Sequence, residues 1–391
     1  MNKIIAVHLQ NDRSGNTLVF RQSLETLSEK GLDVHLITNR TDDTPGFLTG
    51  ISGVQCHYIN YSERGNKWRV FFSFLLAQLL IFRKVLGLYE PEAKVYINTL
   101  LPFAAAWAGR LKNAPITYHI HETSVAQPYL HLFMMRTAKR LATKVVFGSR
   151  YLQAKFDFPK AETHVIPSCL PKSFVHEAVL HTNHGARKTV LMVASLESES
   201  GIPQFIELAT LMPANKFELV IDASQKDIDV YFEHYFIPDN LMVYGTQLNL
   251  HPFYQRAAVV LNLSHVERSR DTFDISILQA MSYGRPVIVP MAGAANELVA
   301  HGWNGYRISG QYTDKIRKHV EQLLQNKPLY ADMSCAAQLV ASQFKPEFFK
   351  QQVEDIFATG TYFTTARKKE PLAEVLLYPA ALQEYINNAQ N

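Results

Sequence analysis

A chain of 391 residues with 47% hydrophobic and 19% charged residues has an ordinary globular composition and enough length for two or three domains, each with a sizeable core. The formal net charge of +4 is small for that length, and no run of Lys or Arg is interleaved with aromatics. That argues against nucleic acid as a partner and leaves an anionic small ligand open.

The N-terminal MNKIIAVHLQ has too short an apolar run for a signal peptide and reads as a first strand, Lys3 to Leu9. The turn-rich NDRSGN (Asn11 to Asn16) follows, then apolar residues at helical spacing from Leu18 to Lys30, then the strand-like DVHLIT. This order opens a Rossmann-like domain. Gly15, beside Asn16, lets backbone approach a ligand at the helix N-terminus, although such glycines occur in many α/β proteins. Further strands are predicted at Val54 to Asn60, Lys94 to Thr99, Ile116 to Glu122, Lys144 to Ser149 and Thr163 to Pro167, with helical patterns between most of them. Cys56, Cys169 and Cys335 are scattered, without Cys-x-x-Cys or metal-type spacing, so free thiols in a reducing, cytoplasmic setting are expected.

Val70 to Phe82 (VFFSFLLAQLLIF) is apolar nearly all round and flanked by Lys67, Arg69, Arg83 and Lys84. It falls short of the ~20 residues a membrane span needs. A helix clamped between a sheet and its neighbours is the expected reading; a surface helix dipping into an anionic bilayer, at the inner face of the membrane, is the alternative.

Residues 171–188 lose periodicity and gather Pro, His, Asn and Gly, which marks a linker after a first domain of residues 1–170. A second alternating series runs from Thr189 to Ser195 through FELVIDAS, NLMVYG, AVVLNLS (Ala258 to Ser264) and PVIVP, giving a second Rossmann-like domain over 189–345. Pro346 to Thr359 is an amphipathic helix candidate, and a tail with Arg367, Lys368 and Lys369 closes the chain.

The chemistry concentrates in Asp271 to Gly305. AVVLNLS has the apolar, β-branched character of a strand buried on both faces. After a polar loop, Ile275, Leu278, Ala280 and Met281 recur at helical spacing until Gly284 and Pro286. A parallel sheet binds ligands outside the carboxyl ends of its strands, so Asp271, Phe273 and Asp274 sit where a ligand would, with Gln279 about two helical turns along. In the first half, His119 and His121 share one face of a strand end. The pair has metal-ligand character without a recognisable third ligand.

These residues resemble the signature of the retaining family-4 glycosyltransferases, an acidic loop running into a helix that ends Ala-Met-x-x-Gly-x-Pro-Val-Ile. The chain keeps Phe273, Ala280, Met281, Gly284, Pro286, Val287 and Ile288, and downstream Gly293, Glu297, Leu298, Val299, Gly302, Asn304 and Gly305. It departs at Asp271 for the first acid, Asp274 for the loop Gly, Gln279 for the second acid and Ala294 for a Gly.

The resemblance implies a GT-B architecture, two Rossmann-like doubly wound parallel-sheet domains facing across a cleft. The first would hold the acceptor and the second the donor nucleotide, with residues 346–391 crossing back to the first. It implies sugar transfer from a nucleoside-diphosphate sugar to a glycan or lipid-linked acceptor with retained configuration, without bound metal or other cofactor. Asp271 and the following amides, including Ile275, would hold the sugar, Gln279 the ribose, and His121 the sugar from the other domain. The family's Arg and Lys of the diphosphate clamp fall at Ser195 and Ser200, beside a retained Gly201. Arg268 and Arg270 are the cations placed to replace them. The rival reading is a glycosyltransferase-like partner subunit with weak or no turnover, which the substitutions at Ser195, Ser200, Asp274 and Gln279 favour.

Overall fold

The computed structural model describes residues 3–12, 14–40, 46–62, 66–121, 128–181, 189–196, 199–265 and 275–358. The chain divides into two compact units, the first ending at Ser168 and resuming at Glu347, the second running Cys169–Pro346.

In the first unit the predicted alternation appears as β1 (Lys3–His8), α1 (Gly15–Glu29), β2 (Asp33–Asn39), β3 (Val54–Ile59), α2 (Lys67–Leu88), β4 (Lys94–Asn98) and α3 (Ala104–Leu111). It continues through β5 (Ile116–Ile120), α4 (Pro128–Leu141), β6 (Lys144–Phe147), α5 (Arg150–Lys155) and β7 (Glu162–Val165). The strands form one parallel sheet in the order β3-β2-β1-β4-β5-β6-β7. All residues of β1 and β5 are buried, as expected of strands covered by helices on both faces. The strand order reverses between β1 and β4, the topological switch point where open α/β sheets bind ligands.

The second unit contains α6 (Lys172–Leu180), β8 (Thr189–Ala194), α7 (Ile202–Leu211), β9 (Lys216–Ile221), α8 (Gln225–Phe232), β10 (Leu241–Tyr244), α9 (His251–Arg256) and β11 (Ala257–Leu261). Then come α10 (Ile275–Ser282), β12 (Val287–Val289), β13 (Gly305–Arg307), α11 (Thr313–Gln325) and α12 (Lys327–Ala341). Its six strands are parallel in the order β10-β9-β8-β11-β12-β13, with the reversal between β8 and β11.

The stretch expected to be a linker differs from that reading. Lys172–Leu180 is a helix whose Phe174 stacks on His251 and meets Tyr254 and Tyr283 edge-on, and Ala178 is fully buried. Phe174, Val175 and Ala178 suffice for one helical face, and the neighbouring His and charged residues hide their spacing.

The last described helix, α13 (Pro346–Phe357), packs on the first unit. Lys94 Nζ and Lys144 Nζ donate to the carbonyls of Phe357 and Ile356, at 2.8 and 2.9 Å, so two cations satisfy the helix's open C-terminal end. Phe357 meets Tyr96 at 4.8 Å, and Glu354 and Lys350 pair with Lys30 and Glu29 of α1. The tail beyond it, with Arg367, Lys368 and Lys369, lies outside the described residues.

Helix α2 corrects the expected clamped helix. It runs 22 residues, long and apolar enough by composition to cross a membrane, because it continues past Arg83 and Lys84 to bury Val85 one turn after Ile81. Its inner face, Phe74, Ala77, Gln78, Ile81 and Val85, is buried in the unit. Gln78 fastens that face by donating to Leu101 O and accepting from Ala104 N. Its outer face is exposed, so α2 is a surface helix with one packed side rather than a helix enclosed all round. Phe74 lies between Tyr61 and Phe103, and Phe74→Asp buries a charge without a partner. Urea unfolding should show a loss of roughly 3 kcal/mol or more, whereas Leu79→Asp on the outer face should stay within about 0.5 kcal/mol of the parent.

Candidate functional site

At the carboxyl end of the first sheet, side chains from β1, β4, β5 and the start of α1 form one hydrogen-bonded chain. Asp12 Oδ1 accepts from Thr17 Oγ1 at 2.8 Å and from Ser14 Oγ at 2.7 Å. A hydroxyl has a single proton, so Thr17 accepts from His8 Nε2 at 3.1 Å. Burial holds the His8 imidazole down to about 4, against a weaker upward pull from Asp12 and a hydrogen bond to Asn98, so it is neutral at pH 7 and its Nδ1 is an acceptor. Asn98 Nδ2 donates to that Nδ1 at 3.1 Å, which leaves Asn98 Oδ1 to accept from His121 Nε2 at 2.9 Å. Each link fixes the next, and the carboxylate at one end sets the tautomer of His121 at the other.

His121 is 3% exposed, and burial first, then the neighbouring His119 and His8, hold its pKa well below the ordinary value. The His119 ring lies 4.0 Å from it, and burial lowers His119 to about 3. Tyr96 OH meets His119 Nδ1 at 2.9 Å, while Nε2 of His119 has no partner among the described residues. All three rings are therefore neutral at pH 7, hydrogen-bonding groups rather than cations. No group of three or more His, Cys, Asp or Glu suited to a metal occurs among the described residues.

Gly15 and Asn16 begin α1 at this same end. The space beside Gly15 is open to 4 Å, and the Asn16 carbonyl accepts a long contact, 3.5 Å, from Asn98 Nδ2. Asn98 thus ties the first-loop residues to His121. Sequence reasoning passed over both His8 and Asn98; the available signal was a polar residue closing each of two apolar strands, at the end where parallel sheets bind ligands.

In the second unit, Ser195 follows β8, and Ser200 and Gly201 lead into α7. Gly201 is the N-cap, left-handed at φ 82°, and a Cβ there would come within 2.4 Å of the Leu263 carbonyl beyond β11. Only glycine meets both conditions. The same carbonyl would lie 2.7 Å from a Cβ on Gly310, and His265 N donates to Glu199 O at 2.8 Å. The loops after β8, β11 and β13 therefore close around the head of α7, where the backbone N–H groups of Ile202 and Gln204, on either side of Pro203, point out of the helix end.

Ile275 and Gln279 lie on α10. Tyr254 OH donates to Gln279 Oε1 at 2.9 Å, and Arg285 Nε donates to Tyr254 O at 3.0 Å, so Arg285 and Tyr254 lock α9 to α10. With its oxygen engaged, Gln279 presents the amide nitrogen, a donor where a carboxylate would accept. Asp271, Arg268, Arg270, Phe273 and Asp274 lie outside the described residues. The structure thus gathers Gly15, Asn16 and His121 in one unit and Ser200 with Gly201 in the other.

Residues 180–340 match the family model described as Glycosyl transferases group 1. A curated relative, N-acetyl-alpha-D-glucosaminyl L-malate synthase of Bacillus anthracis, is 29% identical over 122 residues; the match spans 31% of this chain and 31% of that protein. Among solved structures, Anabaena Alr3699/HepE, crystallised with UDP and glucose, superposes with a TM-score of 0.72 at 18% identity, covering 92% of this chain and 100% of that one. Sucrose-phosphate synthase from Thermosynechococcus elongatus gives 0.73 at 17% identity, covering 91% and 98%. With two parallel Rossmann-like sheets in hand, this chain has the GT-B fold, and its residues 180–340 match the group 1 glycosyl transferases.

Proposed function

We propose that the protein transfers a sugar from a nucleoside-diphosphate sugar to a glycan or lipid-linked acceptor with retention of anomeric configuration. The second unit would take the donor nucleotide and the first the acceptor. The observation that carries this reading is the glycine-lined head of α7, where Gly201 packs on the Leu263 carbonyl and leaves Ser200 and the first amides of α7 to meet a diphosphate. HepE, with its bound UDP and glucose, makes uridine diphosphate sugars the first donors to test.

In this reading Asp271 and the amides of Phe273, Asp274 and Ile275 hold sugar hydroxyls, and Gln279 meets the ribose. Neutral His121 hydrogen-bonds the sugar, near Gly15 and Asn16. The C1–oxygen bond to the diphosphate breaks, the acceptor oxygen bonds C1 on the same face, and its proton passes to the departing phosphate oxygen. No cofactor enters this scheme.

Ser195 and Ser200 bring no charge to that leaving group, so Arg268 and Arg270 supply it. Arg268→Ala or Arg270→Ala should lower transfer by ~10- to 100-fold with little change in stability, the worth of about 1.5–3 kcal/mol in a charge-assisted contact. Ser195→Arg with Ser200→Lys should restore much of the loss. Brisk transfer that neither arginine affects would remove them from the site, and proton NMR of the product showing an inverted anomer would remove retention. The second reading, a partner subunit that binds donor without turnover, is favoured by Tyr254 holding the Gln279 oxygen; saturable donor binding with no transfer would select it.

A further inference from the structure

We infer that the helical face of the first unit formed by α2, α3 and α4 docks on an anionic lipid bilayer, with a headgroup phosphate seated in the groove at the start of α2. This goes beyond the reading of the donor site and does not depend on it.

On α2 the exposed apolar residues fall in one stripe. Trp68, Phe72, Leu75, Leu76 and Leu79 recur at three- and four-residue steps, with Phe71 beside them, and Trp68 and Phe72 are 71% and 62% exposed. The neighbouring helices also carry exposed apolar residues. Phe103, at the N-cap of α3, packs on Phe74 of α2 and on Phe133 of α4. Beside these contacts Trp107, Leu111, Tyr129 and Leu132 are exposed. Exposed apolar surface on this scale marks an interaction site.

Charge selects the occupant. Helices α2, α3 and α4 together carry eight Lys and Arg, from Lys67 to Arg140, and no Asp or Glu, in a chain whose net charge is only +4. A second copy of this face would set like charges against each other in an isologous contact. A bilayer supplies both things the face lacks, an apolar layer for the stripe and anionic headgroups for its basic border, with Trp68 at the level of the interface.

The groove adds a specific seat. It encloses about 730 Å³ between Arg40, Ser62, Arg69 and Ser73 on its polar side and Phe72 and Leu76 on its apolar side. Neither Arg40 nor Arg69 forms an ion pair with another described residue. Arg40 and Asn60 follow β2 and β3, so the groove opens at the carboxyl end of the sheet. Two guanidinium groups beside an apolar wall match a phosphate ester with an acyl chain.

Full-length protein mixed with vesicles of phosphatidylcholine, with or without phosphatidylglycerol, tests this by co-sedimentation and tryptophan emission. Binding should require phosphatidylglycerol, weaken with salt and blue-shift the emission. Phe72→Ser with Leu76→Ser should weaken it at least tenfold, and Arg40→Ala or Arg69→Ala roughly fivefold each. Phe236→Ser, more exposed than Phe72 or Leu76 and on the second unit, should change nothing. The inference is overturned if the wild type ignores anionic vesicles or if the Phe236 variant loses as much as the stripe variant. It is overturned too if soluble glycerol phosphate competes fully, which makes the groove a phosphate site only, or if the stripe covers itself in a dimer that the double variant dissociates. Donor binding by the second unit is unaffected by any of these outcomes.

Discussion

Acidification from pH 7 to pH 5 should cost the first unit roughly 4 kcal/mol or more of stability, carried chiefly by three buried histidines. His8 is held down to about 4 and His119 to about 3, and His121 lies well below its ordinary value, each chiefly by burial. Below pH 6.5 the unfolded chain protonates all three while the folded unit refuses the protons, so the unfolded state binds more of them and stability falls with pH. His8 and His119 each contribute about 2 kcal/mol by pH 5, at 1.36 kcal/mol per pH unit over the interval below 6.5, and His121 adds to the loss in the same direction. The loss saturates for His8 only as pH passes about 4. Carboxylates titrate mainly below this window; His57, His131 and His164 of the same unit, also lowered by burial, add to the loss in the same direction, so single-ring variants compared by urea unfolding at the two pH values assign each share. His119→Phe should remove about 2 kcal/mol of the pH dependence; the Tyr96 OH it leaves without its Nδ1 partner lowers stability by a similar amount at both pH values and so does not mimic that change. Equal stability at pH 7 and pH 5 would show that the rings are not buried neutral.

The second large effect is expected at Asn98, a fully buried residue that donates to His8 and accepts from His121. Asn98→Leu leaves an imidazole donor and an imidazole acceptor unpaired in the core, worth about 2–5 kcal/mol together. It also frees the His121 ring to tilt. A misplacement on the scale of 1 Å costs up to ~100-fold in rate, so transfer should drop ~10- to 100-fold in kcat, with KM for the donor moving much less. Asn98→Asp offers acceptors to both rings, so it should keep the ring positions, raise the pKa of His8 and shift the acid limb of the pH–rate profile upward. Wild-type kcat in Asn98→Leu would confine Asn98 to a structural role.

The two sheets were legible because their strands are short β-branched runs, such as AVVLNLS at β11, separated by helix-period segments. Strand β13 escaped notice since Gly305, Tyr306 and Arg307 offer only three residues and one apolar anchor. Helix α2 was read short at Phe82 because Arg83 and Lys84 interrupt the apolar run, yet both ride on a helix whose Val85 is still buried. Its one-sided exposure was not readable at all, for a stretch that is apolar all round does not say which side meets the sheet. Within the site, His121 was legible from the resemblance and from its place at a strand end. The partners that fix its tautomer come from β1, β4 and α1, and only the pairing of those strands brings His8 and Asn98 together. Gln279 was legible as a position, but its bond to Tyr254 depends on how α9 meets α10.

Thermal unfolding of the full chain across a panel of uridine, guanosine, adenosine and thymidine diphosphates and their sugars tests the central claim most directly. A ligand that binds only the native state stabilises it by about 2.7 kcal/mol at a hundred times its Kd. One base should therefore raise the Tm saturably, its diphosphate and its sugar alike. Gly201→Val, which forces a side chain against the Leu263 carbonyl, should abolish that shift. A panel in which no nucleoside diphosphate moves the Tm, or in which Gly201→Val responds like the parent, would contradict a donor site at the head of α7.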